Sequence, residues 1–423
     1  MDTIITDISM IATPLGISEL HGKAMNSLRI YKDCSIIIEE SRIAFIGSFG
    51  EAKKYLSENK KNIKQYIQVD GRGKCALPGF TDSHTHFVFG GYRPDEFMLR
   101  LEGGDYMEIH RRGGGIEASV QATRAETETE LYKKGKIRLE HMLRQGVTCV
   151  EGKSGYGLDL DTEIKQLKVM KKLNENQPVS VIPTFLGAHS VAGEYRERGD
   201  EYIDFIINKV MPVVAGERLA KFCDAFVEAG VINVRQGEKL FQAAQRYNLK
   251  IKIHADEMTS MGAVELALRY DAVSADHLLM ISEEDIKRLS QSRTVATLLP
   301  ATAFCLNKPY APARKMIDSN CAVALASDFN PGSCFSDNIP LLISLAVIQM
   351  RMTIEEAVTA LTLNGAAAAD CAGYTGSIEV GKNADIILLG CPDYKYLVYY
   401  TMENLVDTVI KKGVIIKENH YEM

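Results

Sequence analysis

Residues 80–89 read "FTDSHTHFVF", with His84 and His86 one residue apart in an apolar run of β character. In a strand, residues i and i+2 project from the same face. Both imidazoles, and Asp82 before them, therefore aim at one point. Imidazole suits Zn or Fe, and a carboxylate adds a hard, charged ligand. Other residues able to bind metal or move protons stand where later apolar runs end. They are Lys153 and Tyr156 in "EGKSGYG", His189 in "FLGAHS", His254 and Glu257 in "KIHADE", His277 in "VSADH", and Asp328 and Asn330 in "ASDFNPG". Taken singly, each has an ordinary alternative. A strand-end histidine is often a satisfied core residue, Asp328 can open a turn before Asn-Pro-Gly, and Lys153 can be a solvated loop charge. Their recurrence at the ends of successive β runs favours one shared site. Two strand histidines, a third histidine and an aspartate leave room for a water, the open coordination of a catalytic metal.

The elements that must position these residues form a regular pattern. Residues 75–375 alternate β and helical periods, which argues for βα units and a parallel sheet. Strand candidates are "PGFTDSHTHF", "VTCVEG", "VSVIPTFLGAHS", "LKIKIHADE", "DAVSADHLL", "TVATLLP" and "CAVALASDFNPG". Helical stretches are expected at 125–145 (stopped by Gly146), 162–175, 235–247 and 283–290. A capping box pairs Thr353 with Glu356. Roughly eight such units fit a (β/α)₈ TIM barrel, whose active face is the C-terminal end of the strands. Short β runs at 1–74 and 376–423 are expected to pair into a small, discontinuous β-sandwich domain.

Composition excludes several other classes. Net charge is −6 with no long Lys/Arg block, which argues against nucleic acid or an anionic membrane as partner. The longest apolar stretch, 339–350, is too short to span a bilayer and reads as a buried helix. Nine cysteines without a C-x-x-C pair suggest free thiols in a reducing compartment. "MDTIITDISM" lacks the basic-then-apolar pattern of a secretory signal. The expectation is a cytoplasmic protein. No G-x-G-x-x-G follows a strand and no Walker loop is present, so a nucleotide fold has no support.

"PGFTDSHTH" resembles the first-strand signature of the amidohydrolase superfamily, and "HADE", "SADH" and "ASDFNPGS" resemble its later strand ends. "GSIEVGKNADIILL" is similar to that superfamily's return into its small β domain. Within the superfamily, "HTHFVFGGYRPDEF", "GGGIEASVQATR", "QGVTCVEGKSGYGLD" and "FLGAHSV" resemble the imidazolonepropionase family over nearly the whole chain. The resemblance implies that His84, His86, His254 and Asp328 bind one Zn²⁺ or Fe ion. Two-metal relatives use a carboxylated lysine near the end of strand 4. Here the strand expected in that place ends in "GAHS" and offers His189, which favours a single metal, and Lys153 has no metal role. Cys149 and Gly152 stand where Thr and an apolar residue are more usual in the family.

The implied substrate is 4-imidazolone-5-propanoate, a flat lactam ring with a carboxylate tail, opened to N-formimino-L-glutamate. Glu257, three residues past His254, is the natural general base and a substrate contact. His277 would polarise the ring carbonyl or stabilise the oxyanion, and Asp328 would assist proton transfer. Arg93 in "GGYRPDE" is placed to grip the tail bidentately, the alternative being a surface ion pair with Asp95 or Glu96. Tyr156 offers a hydroxyl to the same tail, and His189, Asn330, Gly332 and Ser333 resemble the family's remaining substrate contacts. A homodimer is expected from the resemblance and from common symmetry. Two rival readings are a single-metal deaminase of a cyclic amidine and a catalytically dead barrel.

Overall fold

The computed structural model describes residues 2–103 and 114–418. The chain begins with five strands: β1 (Thr3–Thr13), β2 (Arg29–Glu39), β3 (Arg42–Gly47), β4 (Ile67–Asp70) and β5 (Cys75–Pro78). It ends with β14 (Ile386–Leu389), β15 (Val406–Lys411) and β16 (Val414–Glu418). These eight form one hydrogen-bonded sheet in the order β16-β15-β14-β5-β1-β2-β3, with β4 pairing parallel to β1. The two ends of the chain meet where β5 and β14 run antiparallel, Leu77 opposite Ile387. Alternation decides what each face covers. Ile5, Ile36, Ile38, Ile386 and Ile410 share one apolar core. Ile4 and Ile37 point the other way, onto Ala52 and Leu56 of the helix Phe49–Glu58.

Between these segments lie eight parallel strands: β6 (Phe80–Thr85), β7 (Val147–Lys153), β8 (Ser180–Ala188), β9 (Phe222–Val227), β10 (Lys250–Ala255), β11 (Ser274–His277), β12 (Val295–Leu298) and β13 (Val323–Leu325). They pair in chain order, as a (β/α)₈ barrel requires. The ring closes beyond β13: the Asp328 N–H donates to the His84 carbonyl (3.0 Å) and the His86 N–H to the Phe329 carbonyl (2.8 Å). Asp82 completes the seam by accepting from the Ser327 N–H (3.0 Å) and hydroxyl (2.5 Å).

The helices follow the expected periodicities. Glu128–Arg144 opens on a Thr127/Glu130 capping box and buries Leu131, Gly135, Arg138, Leu139 and Met142, a single stripe at helical spacing. Gly146 follows its end with φ +88°. Leu160–Asn176, Val234–Arg246 and Glu283–Leu289 match the other expected stretches. The Thr353/Glu356 capping box is formed. Ile339–Ile348 is a largely buried helix, and no helix among the described residues is long and apolar enough to cross a membrane.

One strand escaped the sequence reading. Strand β9, "FCDAFV", is the fourth of the barrel, so "GAHS" ends the third strand and His189 does not stand at the end of strand four. The run is short, and the charged Asp224 interrupts its apolar pattern. A charge in a central parallel strand runs against the near-continuous hydrophobic character of such strands. The barrel interior explains it.

Candidate active site

Side chains at alternate positions of β7, β9, β10 and β11 enter the barrel, and several are charged where branched apolar residues are usual. Glu151, Lys153, Asp224, Lys252 and Asp276 are all fully buried. The Lys153 ammonium lies 2.7 Å from Asp224, 3.0 Å from Glu151 and 3.6 Å from Asp276. Burial alone would lower its pKa, but the three carboxylates outweigh burial and raise it. Lys153 is therefore no solvated loop charge. Lys252 lies beside Asp276 (3.9 Å) and donates to the carbonyls of Ser83 and Ala368.

The carboxylates of this hub hold the histidines above it. His84 Nδ1 is 2.6 Å from Asp276, and His254 Nδ1 is 3.1 Å from Asp224. A carboxylate accepts, so each Nδ1 carries the proton and each Nε2 keeps a lone pair. Both Nε2 atoms are buried and make no hydrogen bond among the described residues. The rings converge, with centroids 4.6 Å apart for His84 and His254 and 5.5 Å for His84 and His86. Asp328 Oδ1 lies 3.5 Å from His84 Nε2 and 3.6 Å from His86 Nε2. Its other oxygen accepts from the Thr302 hydroxyl at 2.7 Å. Burial pushes the pKa of His84 and His86 well down and that of Asp328 up. For His254, Asp224 outweighs burial and the pKa rises.

Three ligand-like sets emerge: His84/His86/Asp328, His84/His254/His277 and His86/His189/His254, the ligand atoms of each within 4.8 Å of one another. Lone pairs converging in a buried site fit a metal ion, because a polar atom buried without a partner is otherwise costly. Asp82 takes no part, being committed to Ser327. Its carboxyl is pushed up to about 7 by burial.

The remaining expected residues surround this cluster. His277 ends β11 at φ +78°, and Asp328 follows β13 at φ +52°. Both lie in the sparsely populated left-handed region that recurs at functional sites. Among the described residues neither ring nitrogen of His277 has a hydrogen-bond partner, and its Nδ1 is 3.7 Å from Glu257. Burial, reinforced by Glu228 and opposed by His254, pushes Glu257 up to about 7. His189 stacks on His86 (5.0 Å, 18°) and bonds the Gly155 carbonyl through Nδ1 at 3.0 Å. Tyr156 is buried beside this stacked pair, 5.7 Å from His86 and 5.3 Å from His189.

Arg93 does form the ion pair with Glu96 (3.1 Å), but the pair is no surface decoration, each side chain being only 13% exposed. Among the described residues the buried Arg93 Nε has no hydrogen-bond partner. Its Nη2 occupies the space of the Cβ that Gly332 lacks, which would stand 1.7 Å away. The charge is near enough to oppose the rise that burial imposes on the Tyr156 pKa. Asn330 organises the loop beneath: its Oδ1 accepts from the Gly332 and Ser333 N–H groups (2.8 Å each), and its Nδ2 donates to the Asp328 carbonyl and the Ser333 hydroxyl.

Sequence reasoning missed Asp224, Asp276 and Thr302 as partners of this site. The signal for the first two was available as carboxylates inside buried strands, which are seldom left unpaired. Thr302 carries no such signal.

A model of the amidohydrolase family matches residues 75–416. This chain belongs to the amidohydrolase family. Amidohydrolases close to it include the imidazolonepropionase of Parabacteroides distasonis, 50% identical over 410 residues and 97% of each chain. That of Clostridium tetani is 49% identical over 420 residues and 99% of each chain. Among solved amidohydrolase-like structures, Escherichia coli guanine deaminase superposes with a TM-score of 0.70 at 13% identity, covering 99% of this chain and 100% of its own. An adenosine deaminase from Xanthomonas campestris with bound zinc gives 0.68 at 16% identity, covering 97% and 93%. At such identities the likeness carries the fold alone. As an amidohydrolase of the imidazolonepropionase group, the chain is a hydrolase acting on C–N bonds, with a candidate His/Asp metal site at the barrel mouth.

Proposed function

We propose that this amidohydrolase hydrolyses the cyclic amide of 4-imidazolone-5-propanoate to N-formimino-L-glutamate, a step of histidine degradation. The observation that carries the reading is an open His/Asp cradle on the same barrel mouth as a cationic, hydroxylic group, Arg93 with Tyr156. A neutral nucleobase would have no use for that second group. The names of the relatives support the same substrate.

His84, His86, His254 and Asp328 would hold one Zn²⁺ or Fe ion. Buried carboxylates at this site (Glu151, Asp224, Asp276 and Asp328) outnumber the two buried ammonium groups, Lys153 and Lys252, which favours a bound cation. The ion supplies Lewis-acid activation of water at neutral pH. Glu257 takes the proton of the attacking water and returns it to the departing ring nitrogen. His277 donates to the lactam oxygen as charge develops there. Arg93 grips the tail, Tyr156 adds a neutral phenolic donor, and His189 presents Nε2 to the substrate. Gly332, Ser333 and Asn330 form the loop against which the tail rests. Residues 75–375 form the catalytic unit, with 1–74 and 376–423 as the small domain. The enzyme works as a cytoplasmic homodimer, a setting in keeping with nine free cysteines, eight of them buried.

The test is loss of imidazolone propionate absorbance with and without a chelator. Turnover should stop on chelation and return with Zn²⁺ or Fe²⁺. Ammonia release without a formimino product would sink the reading in favour of a deaminase. Arg93→Ala should raise KM about 10- to 100-fold, the worth of a charged hydrogen bond, at unchanged metal content. An unchanged KM would remove Arg93 from the site.

A further inference from the structure

Arg138 lies on the buried stripe of the helix Glu128–Arg144 and is 6% exposed. No carboxylate bonds its guanidinium among the described residues. Its Nη1 donates to the Phe87 carbonyl at 2.8 Å and the Phe89 carbonyl at 3.1 Å, and its Nη2 donates to the Tyr92 hydroxyl at 3.0 Å. The guanidinium carbon also sits 3.6 Å over the Phe89 ring, a close cation–π contact. Burying a charge without a counter-charge is costly, and a well-packed apolar side chain often serves stability as well or better. Among the described residues, every hydrogen bond of this guanidinium goes to one short turn of chain.

That turn runs from His86 to Arg93. Its middle is held too: Gln166 donates to the Val88 carbonyl (2.7 Å), and the Gly90 N–H donates to Thr123 (3.0 Å). Arg138 thus grips both ends of the stretch, at Phe87 and at Tyr92, the residue directly before Arg93. Through Phe89 it also backs the aromatic wall, since that ring lies 6.3 Å from Tyr156 and 6.1 Å from Phe329. A bidentate arginine–carboxylate contact has narrow geometric tolerance, so the anchor of this turn decides whether both bonds can form.

We propose that Arg138 is a positioning residue: by clamping the Phe87–Tyr92 turn it sets where the Arg93 guanidinium meets the carboxylate tail of the substrate. The inference rests on the reading of Arg93 as the group that binds that tail.

The experiment is a double-mutant cycle in the metal-loaded enzyme, with KM, kcat and metal content measured for Arg138→Met, Arg93→Ala and the double variant. Arg138→Met should raise KM about tenfold, the low end of what a charged hydrogen bond to the tail is worth, at wild-type kcat and metal content. Arg138→Lys should recover part of the loss. In the Arg93→Ala background, Arg138→Met should add nothing, because residues acting through one contact are not additive. An equal rise in KM in both backgrounds, or a loss confined to kcat, overturns the inference while the tail reading stands. A wild-type KM for Arg93→Ala overturns the tail reading and the inference with it. Should Arg138→Met fail to fold, Tyr92→Phe removes one hydroxyl from a half-exposed ring. Its KM rise should be smaller and absent when Arg93 is Ala, and full additivity again overturns the inference.

Discussion

Glu257→Gln is expected to lower kcat by about three decades, within the range that a positioned general acid–base contributes, while the enzyme keeps its metal. Glutamine preserves shape and the approach to His277, 3.7 Å from the carboxylate, but cannot carry a proton. The native carboxyl suits the task because burial pushes it up to about 7, with Glu228 adding and His254 opposing. A base must be deprotonated to act, so kcat/KM should fall as pH drops through the pKa of Glu257. A nearby divalent cation pulls that value down, which places the acid limb at or below neutral pH. The limb should be lost in the variant. Near-native turnover by Glu257→Gln would remove it as the base.

Lys153→Met should have the largest effect on stability, about 3–5 kcal/mol, the cost of removing one partner from a buried ion pair. Methionine fills a similar volume but leaves Glu151, Asp224 and Asp276 without their shared counter-charge. Two of those carboxylates orient His84 and His254, so metal affinity should also fall about 10- to 100-fold, as outer-shell losses do. The folded-state pKa of Lys153 is raised. Its contribution is therefore present below the unfolded lysine pKa and fades only as pH climbs through the higher folded value. The deficit of the variant should be constant across the neutral range. A melting temperature equal to that of the native enzyme, with unchanged metal affinity, would show that the hub does not depend on Lys153.

Much of the site was legible because strand period and strand ends are local properties. His84 and His86 share a face by alternation alone. His254, Glu257, His277 and Asp328 stand out as candidates because each ends an apolar run in a chain of repeated βα units. The fourth barrel strand was missed for the converse reason: Asp224 made it look unlike a buried strand, and the function of that charge lies on other strands. Arg93 shows a different limit. Its i,i+3 spacing to Glu96 made the ion pair foreseeable, yet the pair's burial and the seat over Gly332 come from a loop about 240 residues away.

Local sequence pattern is enough for the alternation of strands and helices, the pairing of the terminal β segments and the identity of the residues that could bind a metal. These follow from side-chain period, caps and residue chemistry, which act over a few positions. That Asp276 orients His84, that Asp224 orients His254, and that Lys153 lies near both carboxylates emerge from the folded barrel. Those partners are set by strand register around the closed ring, where His254 stands opposite Asp276 on β11 and Phe226 on β9. Register of that kind is fixed by packing summed over the whole barrel, and no short stretch of sequence carries it.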